Sequence, residues 1–328
     1  MSRSNLVLIE RLNSEAVSLT EQFSRSFKYL SLDALFSKSK AVFIKPNLTY
    51  PFYKEGVTTR QEFISALISA LRRINNSTLI YVGEGEGGYN SFSMSEAFKQ
   101  MGFYELENKF PNVKIINLSH MPALQTEIDT TEGPYKITLP EIFFKEIDFS
   151  ISCPVPKIHC MTRVSLAYKN IWGCVPDTMR IKNHYMFNYL ISKISKQLKF
   201  QFAFLDGEYG LDNNGPMVGS PVKIGWFVAS NSLGAFDVVV SEMMGINWKK
   251  VKHLKTASRY DLIPDRDTMR VSGDIKVFSR KFTLKRNFWN YPALIAFNSK
   301  RLTQLFYFSK WAKLLHDVMY IFRKHQID

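Results

Sequence analysis

The sequence predicts an α/β protein: mostly parallel sheet or sheets with flanking helices, arranged as two lobes around a central cleft. Three observations predict it. Apolar runs of strand length alternate with longer amphipathic stretches over the first 240 residues. Runs such as AVFI are apolar at every position, as strands buried on both faces are. Polar or glycine-rich clusters repeatedly follow the carboxyl ends of these runs, where ligands bind in open α/β sheets.

The elements follow in order. NLVLIER reads as a strand and residues 14–37 as one or two helices; AVFIKPNL is a buried strand halted by Pro46. RQEFISALISALRRI places Phe63, Leu67, Ala70, Leu71 and Ile74 along one helical face. STLIYVGEGEGG is a strand entering a glycine-rich loop, and SMSEAFKQMGF a helix opened by Ser93 and Glu96 at capping-box spacing. VKIINLS and DFSISCPVPKI are further strands, HYMFNYLISKISKQLK a helix, FAFLDGEYG a strand, and IGWFVASNSLGAFDVVVSEMMGI a strand followed by a helix. Residues 1–275 are expected to form the α/β domain and 276–328 a basic, aromatic-rich helical extension.

Composition narrows the class. With 328 residues, 45% hydrophobic and 22% charged, the chain can bury a large core. The opening residues have too short an apolar run for a secretory leader, and no uncharged apolar stretch reaches spanning length. Three cysteines within 22 residues make no disulfide framework and fit a reducing, cytoplasmic setting. Of the net charge of +14, the segment 276–328 supplies +9. Its residues Leu302, Leu305, Phe306, Leu315, Val318, Met319 and Phe322 fall near one helical face with lysines and arginines around it. Such a helix suits an anionic membrane surface, which would make the protein peripheral there, or packs on the chain's own core. Nothing resembles a nucleic-acid reading motif, so no specific nucleic acid is expected as partner.

The chemistry concentrates in PKIHCMTRVSLAYKNIWGCVPD, residues 156–177. Pro154 and Pro156 end a strand and leave Lys157 and His159 in its exit; a helix from Thr162 would set Thr162, Ser165 and Lys169 on one face. A lysine lining a gap there can serve as general base, imine-forming nucleophile or anion clamp, according to its desolvation. GEGEGGYN formally satisfies G-x-G-x-x-G, yet Glu84 and Glu86 would repel a pyrophosphate. The glycines more readily permit a turn that presents carboxylates to a metal, to a cationic group or to solvent. KPNLTYPFYKEGVTTR supplies Lys45, Asn47 and hydroxyls, with Thr58 or Thr59 placed to cap a helix beginning near Arg60. LDGEYGLDNNGPMVGSPVK reads as a long loop able to wall a site, with Asp206, Glu208 and Asn214 on it. His159, Cys160, Cys174 and His184 lack the spacing of a structural zinc site; a divalent metal held by His and carboxylate groups is the alternative.

The segments IKPNLT, GVTTR, GEGEGG, CPVPKIHCMTRVSLAYKNIWGCVPD, DGEYGLDNNGPMVG and ASNSLGAFDVVVSEMMGI, spread in order over residues 42–246, resemble the family called domain of unknown function 362. Many members join this domain to a ferredoxin-like cluster domain. This chain has no such cysteine run, so no iron–sulfur cluster is implied. Members usually carry aspartate where Asn231 stands, and a charge-dependent role there is not implied either. A more distant likeness to the lactate racemase family, whose two lobes enclose a nickel-bearing cofactor, is one of fold and assigns no chemistry.

The expectation is therefore an enzyme that binds an anionic small molecule between lobes. Lys157, His159, Lys169 and His184 are its candidate catalytic groups, with the histidines transferring protons. Lys45, Asn47, Thr58, Thr59, Thr162, Asn170 and Asn214 would bind substrate, and Glu84, Glu86 and Asp206 would hold a metal ion or orient the ligand. The alternative is a non-enzymatic binding or scaffold protein docked on a membrane through its basic C-terminal helix.

Overall fold

A computed structural model describes residues 5–12, 17–88, 91–288 and 290–312. Its strands, in chain order, are β1 (Asn5–Arg11), β2 (Ala41–Pro46), β3 (Leu79–Glu84), β4 (Val113–Asn117), β5 (Ala123–Thr130), β6 (Gly133–Pro140), β7 (Phe149–Cys153), β8 (Lys157–His159), β9 (Arg163–Ser165), β10 (Phe200–Asp212), β11 (Ser220–Ser230) and β12 (Met269–Ser272). β5 and β6 form a separate antiparallel hairpin. The rest make one sheet in the order β12-β1-β11-β10-β7-β2-β3-β4, with β8 and β9 joined through β10.

Along that path β11 alone runs against its neighbours; the other adjacent pairs are parallel. The strands are buried on both faces, which explains their unbroken apolar runs. Val42 and Ile44 of β2 pack into one core while Phe43 packs into the other, and Phe202 and Phe204 oppose Ala203 and Leu205 on β10 in the same way. Helices Leu19–Leu30, Gln61–Arg72 and Met94–Gln100 cover the first face. Phe23 lies there edge-on to Phe63, Phe204 and Phe227 at ring separations of 5.0–5.4 Å. Truncating so buried a ring costs about 3–5 kcal/mol. Helices Phe187–Gln197, Leu233–Met243 and Lys252–Arg259, with the β5–β6 hairpin, cover the second face.

Three local readings change. Residues 162–166 are not helical: β8 turns back into β9, Arg163 takes φ 70°, and the helix covers only Ala167–Asn170 before a 3-10 turn at Ile171–Cys174. The buried Asp237 carboxylate sets that start by accepting the Ala167 and Tyr168 N–H groups at 2.8 and 3.2 Å. Second, most of residues 205–223 are the paired ends of β10 and β11, not loop. Gly207 sits where a Cβ would stand 2.4 Å from the Trp226 carbonyl oxygen, so the glycines serve strand packing and a bulge. Third, neither Thr58 nor Thr59 caps the helix Gln61–Arg72, whose flanking residue Arg60 has no side-chain cap bond. Asp206 accepts the Arg60 N–H at 2.8 Å instead.

The C-terminal segment lies against the body. Phe282 is buried beside Trp226, and Arg286 Nε donates to the Cys160 carbonyl at 2.6 Å. Helices Asn290–Phe297 and Lys300–Phe308 follow, with Phe297 packed on His184 and Phe187 at 4.8 and 5.7 Å. Of the apolar stripe expected here, Leu315, Val318, Met319 and Phe322 lie outside the described residues. Among the described residues no helix is long and apolar enough to cross a membrane.

Candidate functional site

Parallel strands deliver their carboxyl ends to one edge of the sheet, and there β2 ends beside β3. Lys45 on β2 has no exposed surface, and its ammonium pairs with Glu84 at the end of β3 and donates to the Pro46 carbonyl at 2.8 Å. Glu84 also accepts the N–H groups of Leu48 and Gly85, each at 3.2 Å. That set of donors fixes the position of the Glu84 side chain. The glycines let this happen: the Gly85 N–H donates to the Gly173 carbonyl at 3.0 Å, and a Cβ on Gly85 would stand 2.6 Å from that oxygen. GEGEGG is thus a close backbone-to-backbone contact with the Ile171–Cys174 turn. Asn170 closes it by donating to the Lys45 carbonyl at 3.0 Å and to Ser152 Oγ at 3.1 Å.

A second buried cation lies beside the first. Lys157 Nζ donates to Asn47 Oδ1 at 2.9 Å, Thr49 Oγ1 at 3.2 Å and the Val57 carbonyl at 2.5 Å. Burial, then the nearby Lys169 charge, holds its amine well below the usual lysine range. Thr59 Oγ1 accepts the Asn47 N–H and donates to the Cys153 carbonyl, both at 2.8 Å. Lys45, Lys157 and Thr59 therefore hold the loop 46–49 from beneath and do not line the cleft.

Above this floor lies a cavity of about 220 Å3. Asn47, Glu84, Glu86, Lys169, Asn170 and His184 all line it, so the structure brings together six of the residues singled out from the sequence. Ser165 and Thr49 add hydroxyls to its wall. Lys169 keeps part of its surface open, with its ammonium 5.5 Å from the Phe187 ring centre. Crowding by protein atoms, and then the Arg180 charge, lower its pKa to about 8. Among the described residues neither Lys169 nor Arg180 has a carboxylate at ion-pair distance. Arg180 donates to the Glu86 and Val175 carbonyls at 2.8 and 3.4 Å. Glu86 is itself occupied by the Met94 N–H, Asn117 Nδ2 and His120 at 2.7, 2.6 and 3.3 Å. The buried Trp172 lines the same cavity, and its Nε1 donor has no hydrogen-bond partner among the described residues.

A second cavity of about 310 Å3 adjoins the first, lined by His159 and Asn214 among others. His159 Nδ1 accepts the Met161 and Thr162 N–H groups at 3.1 and 3.4 Å. That leaves Nε2 as the protonated nitrogen of a neutral ring. Burial, then Lys169, pushes the pKa of His159 well down and that of His184 to about 3. Both imidazoles are neutral near pH 7, so Lys169 is the group of the cleft that titrates close to it.

Other expected residues lie elsewhere. Asp206 grips Arg60 through Oδ1 to Nη2 at 2.6 Å and to Nε at 3.0 Å, and does not line the cavity that Glu84 and Glu86 share. Thr58 accepts the Lys54 N–H at 2.9 Å, and Thr162 donates to the Val164 carbonyl at 2.9 Å. Among the described residues no three of His, Cys, Asp and Glu are placed to hold a metal ion, and all three cysteines are free and buried. Sequence reasoning missed Arg180 and Trp172. Arg180 is the one arginine between the Trp-Gly turn and the helix Phe187–Gln197, and that isolation was its only available signal.

The family model described as Domain of unknown function (DUF362) matches residues 42–242. A thylakoid-associated protein of Synechocystis is 26% identical over 126 residues, which are 36% of this chain and 39% of that protein. The lactate racemase apoprotein from Thermoanaerobacterium thermosaccharolyticum superposes with a TM-score of 0.44 at 13% identity, covering 79% of this chain and 57% of that one. A crystal structure of a Thermotoga maritima protein gives 0.34 at 11% identity, covering 63% and 53%. The matches thus span less than two thirds of each of these proteins.

Proposed function

This chain belongs to the DUF362 family, and from that premise together with the cleft we propose that it is an enzyme acting on a small anionic molecule held over Lys169 and Arg180. One observation carries the proposal: among the described residues each carboxylate lining the cavity is already partnered, while two cations facing it have no carboxylate at ion-pair distance. Two like charges side by side repel, and an anion between them relieves that repulsion. The unused Trp172 N–H supports the same reading, since a buried donor without acceptor is unfavourable until a ligand meets it. Lys169, with its pKa near 8, can carry a proton to or from the ligand, or attack a carbonyl carbon as the neutral amine. Asn47, Asn170, Ser165 and Thr49 supply orienting hydrogen bonds.

The test is calorimetric titration with sulfate and inorganic phosphate of the wild type and of Lys169→Met and Arg180→Met, with folding checked by circular dichroism. Each substitution is expected to weaken binding by about tenfold or more, the worth of a charged hydrogen bond. Equal affinity in all three proteins, or no binding to the wild type, defeats the reading.

A specific observation favours a second, compatible reading. Phe288, Tyr291, Ile295 and Trp311 are 52–74% exposed on the C-terminal segment, amid exposed Lys285, Lys300, Arg301 and Lys310. Aromatic side chains ringed by cations suit the surface of an anionic membrane. The Synechocystis relative, described as thylakoid-associated, points the same way. Flotation with vesicles containing anionic lipid should carry the wild type and leave a Phe288→Glu, Tyr291→Glu, Ile295→Glu variant behind. Equal flotation of both proteins overturns it.

A further inference from the structure

The two cavities share the lining residues Gly88, Arg180, His184, Pro216 and Met217, and so adjoin as neighbouring chambers. Their walls differ in charge. The first holds Lys169 and Arg180, which among the described residues have no carboxylate at ion-pair distance. The second is lined by Met161, Ile181, Val218, Ala293 and Tyr307 together with His159, Asn214 and Asn290, and among the described residues no Lys, Asp or Glu lines it. Its cation is Arg180, at the boundary with the first chamber.

We infer that the ligand is an amphipathic anion: a phosphate or carboxylate head sits at Lys169 and Arg180, and an apolar body passes Met217 into the second chamber. This rests on the anion reading of the cleft and specifies its substrate class. A head group alone leaves the larger chamber, about 310 Å3 against about 220 Å3, to be filled with water against Met, Ile and Val side chains. An apolar body that displaces this water gains the transfer free energy of each buried methylene. The second chamber also retains one unmet acceptor, Asn214 Oδ1, which suits a hydroxyl or amide donor on the ligand's body.

Placement of the outer wall supports the assignment. Ala293 and Tyr307 come from the helices Asn290–Phe297 and Lys300–Phe308, so the described part of the C-terminal segment lines the second chamber and not the first. Phe297 and the Arg286 bond to the Cys160 carbonyl hold that wall on the body. The described part of that segment, residues 276–288 and 290–312, carries eight lysines and arginines and no Asp or Glu, which favours a negative ligand.

The experiment compares inorganic phosphate, butyl phosphate and octyl phosphate, with acetate and octanoate as the carboxylate arm, by calorimetry below the micelle concentration. Affinity is expected to rise by up to about fourfold per methylene buried, and by about a hundredfold in total for the octyl chain over the bare head. Ala293→Trp fills the chamber and should bring the ratio of octyl to inorganic phosphate affinity close to one. Val218→Trp, at a half-exposed site, is the second variant should the first fail to fold. If bare heads and alkyl anions alike fail to bind, the anion reading falls and this inference with it. If phosphate binds but chain length brings no gain, or the gain survives the tryptophan substitutions, the apolar chamber alone is overturned.

Discussion

Gly173 passes so close to Glu84 that a Cβ built on it would overlap the carboxylate oxygen Oε1. The Trp-Gly of the central segment and the glycine-rich loop are therefore one contact seen from two sides. Gly173→Ala must push Glu84 away from Lys45, a cation with no exposed surface. Breaking a buried pair in this way costs about 3–5 kcal/mol. Gly88→Ala is the control: its Cβ would meet nothing nearer than Arg180 Nη2 at 3.8 Å, and the change should stay within about 0.5 kcal/mol. Urea denaturation of both variants decides it, and equal midpoints would show that the pair tolerates displacement.

Asp206 is engaged by Arg60 and does not line the cavity that Glu84 and Glu86 share. It accepts the Arg60 backbone N–H and two guanidinium nitrogens, and Arg60 reaches onward to Glu208. Asp206→Ala leaves a mostly buried guanidinium short of its main partner, and stability should fall by about 3 kcal/mol. Sulfate affinity should move by less than about twofold, since the residue does not line the cavity. A large loss of affinity with unchanged stability would return Asp206 to the site.

The strand ends were legible because they depend on local pattern: Lys45 and Glu84 stand at the carboxyl ends of apolar runs, and β1, β2 and β3 fall on the predicted segments. The partners of those side chains were not legible. Asp206 and Arg60 are 146 residues apart, and no local periodicity links an acid on a strand to an arginine before a helix. The helix predicted from Thr162 failed for a related reason. Its polar stripe is real, since Ser165 and Lys169 both line the cavity, but a tight hairpin and the distant Asp237 produce that juxtaposition. The β5–β6 hairpin also escaped notice, although Tyr135, Ile137 and Leu139 alternate with Lys136 and Thr138 along β6.

His253 is fully buried, and neither ring nitrogen has a hydrogen-bond partner among the described residues. Burial, then the Lys169 charge, lowers its pKa to about 3, against 6.5 for an unperturbed histidine. The unfolded chain therefore binds the proton first. The stability linked to the neutral ring is complete above pH 6.5 and is lost as pH falls towards 3. One such group contributes about 1.4 kcal/mol per pH unit within that window. His253→Leu should flatten the dependence of the urea midpoint on pH between 4 and 6 by about that amount. Parallel curves for variant and wild type would place the acid sensitivity elsewhere.

Lys169 makes the strongest demand on pH. Its amine titrates near 8 because burial, followed by the Arg180 charge, disfavours the ammonium. The charged form predominates below that value and disappears above it. An anion that binds only the ammonium form should lose about tenfold in affinity between pH 7 and 9. Sulfate is the suitable probe, since it does not change charge in this range. In Lys169→Met the weakened affinity should be flat over the same interval, and Lys169→Arg should restore tighter binding without restoring the slope, because guanidinium stays charged. A flat profile for the wild type would mean that Lys169 does not face the bound anion, and the cleft would then have to be read through Arg180 alone.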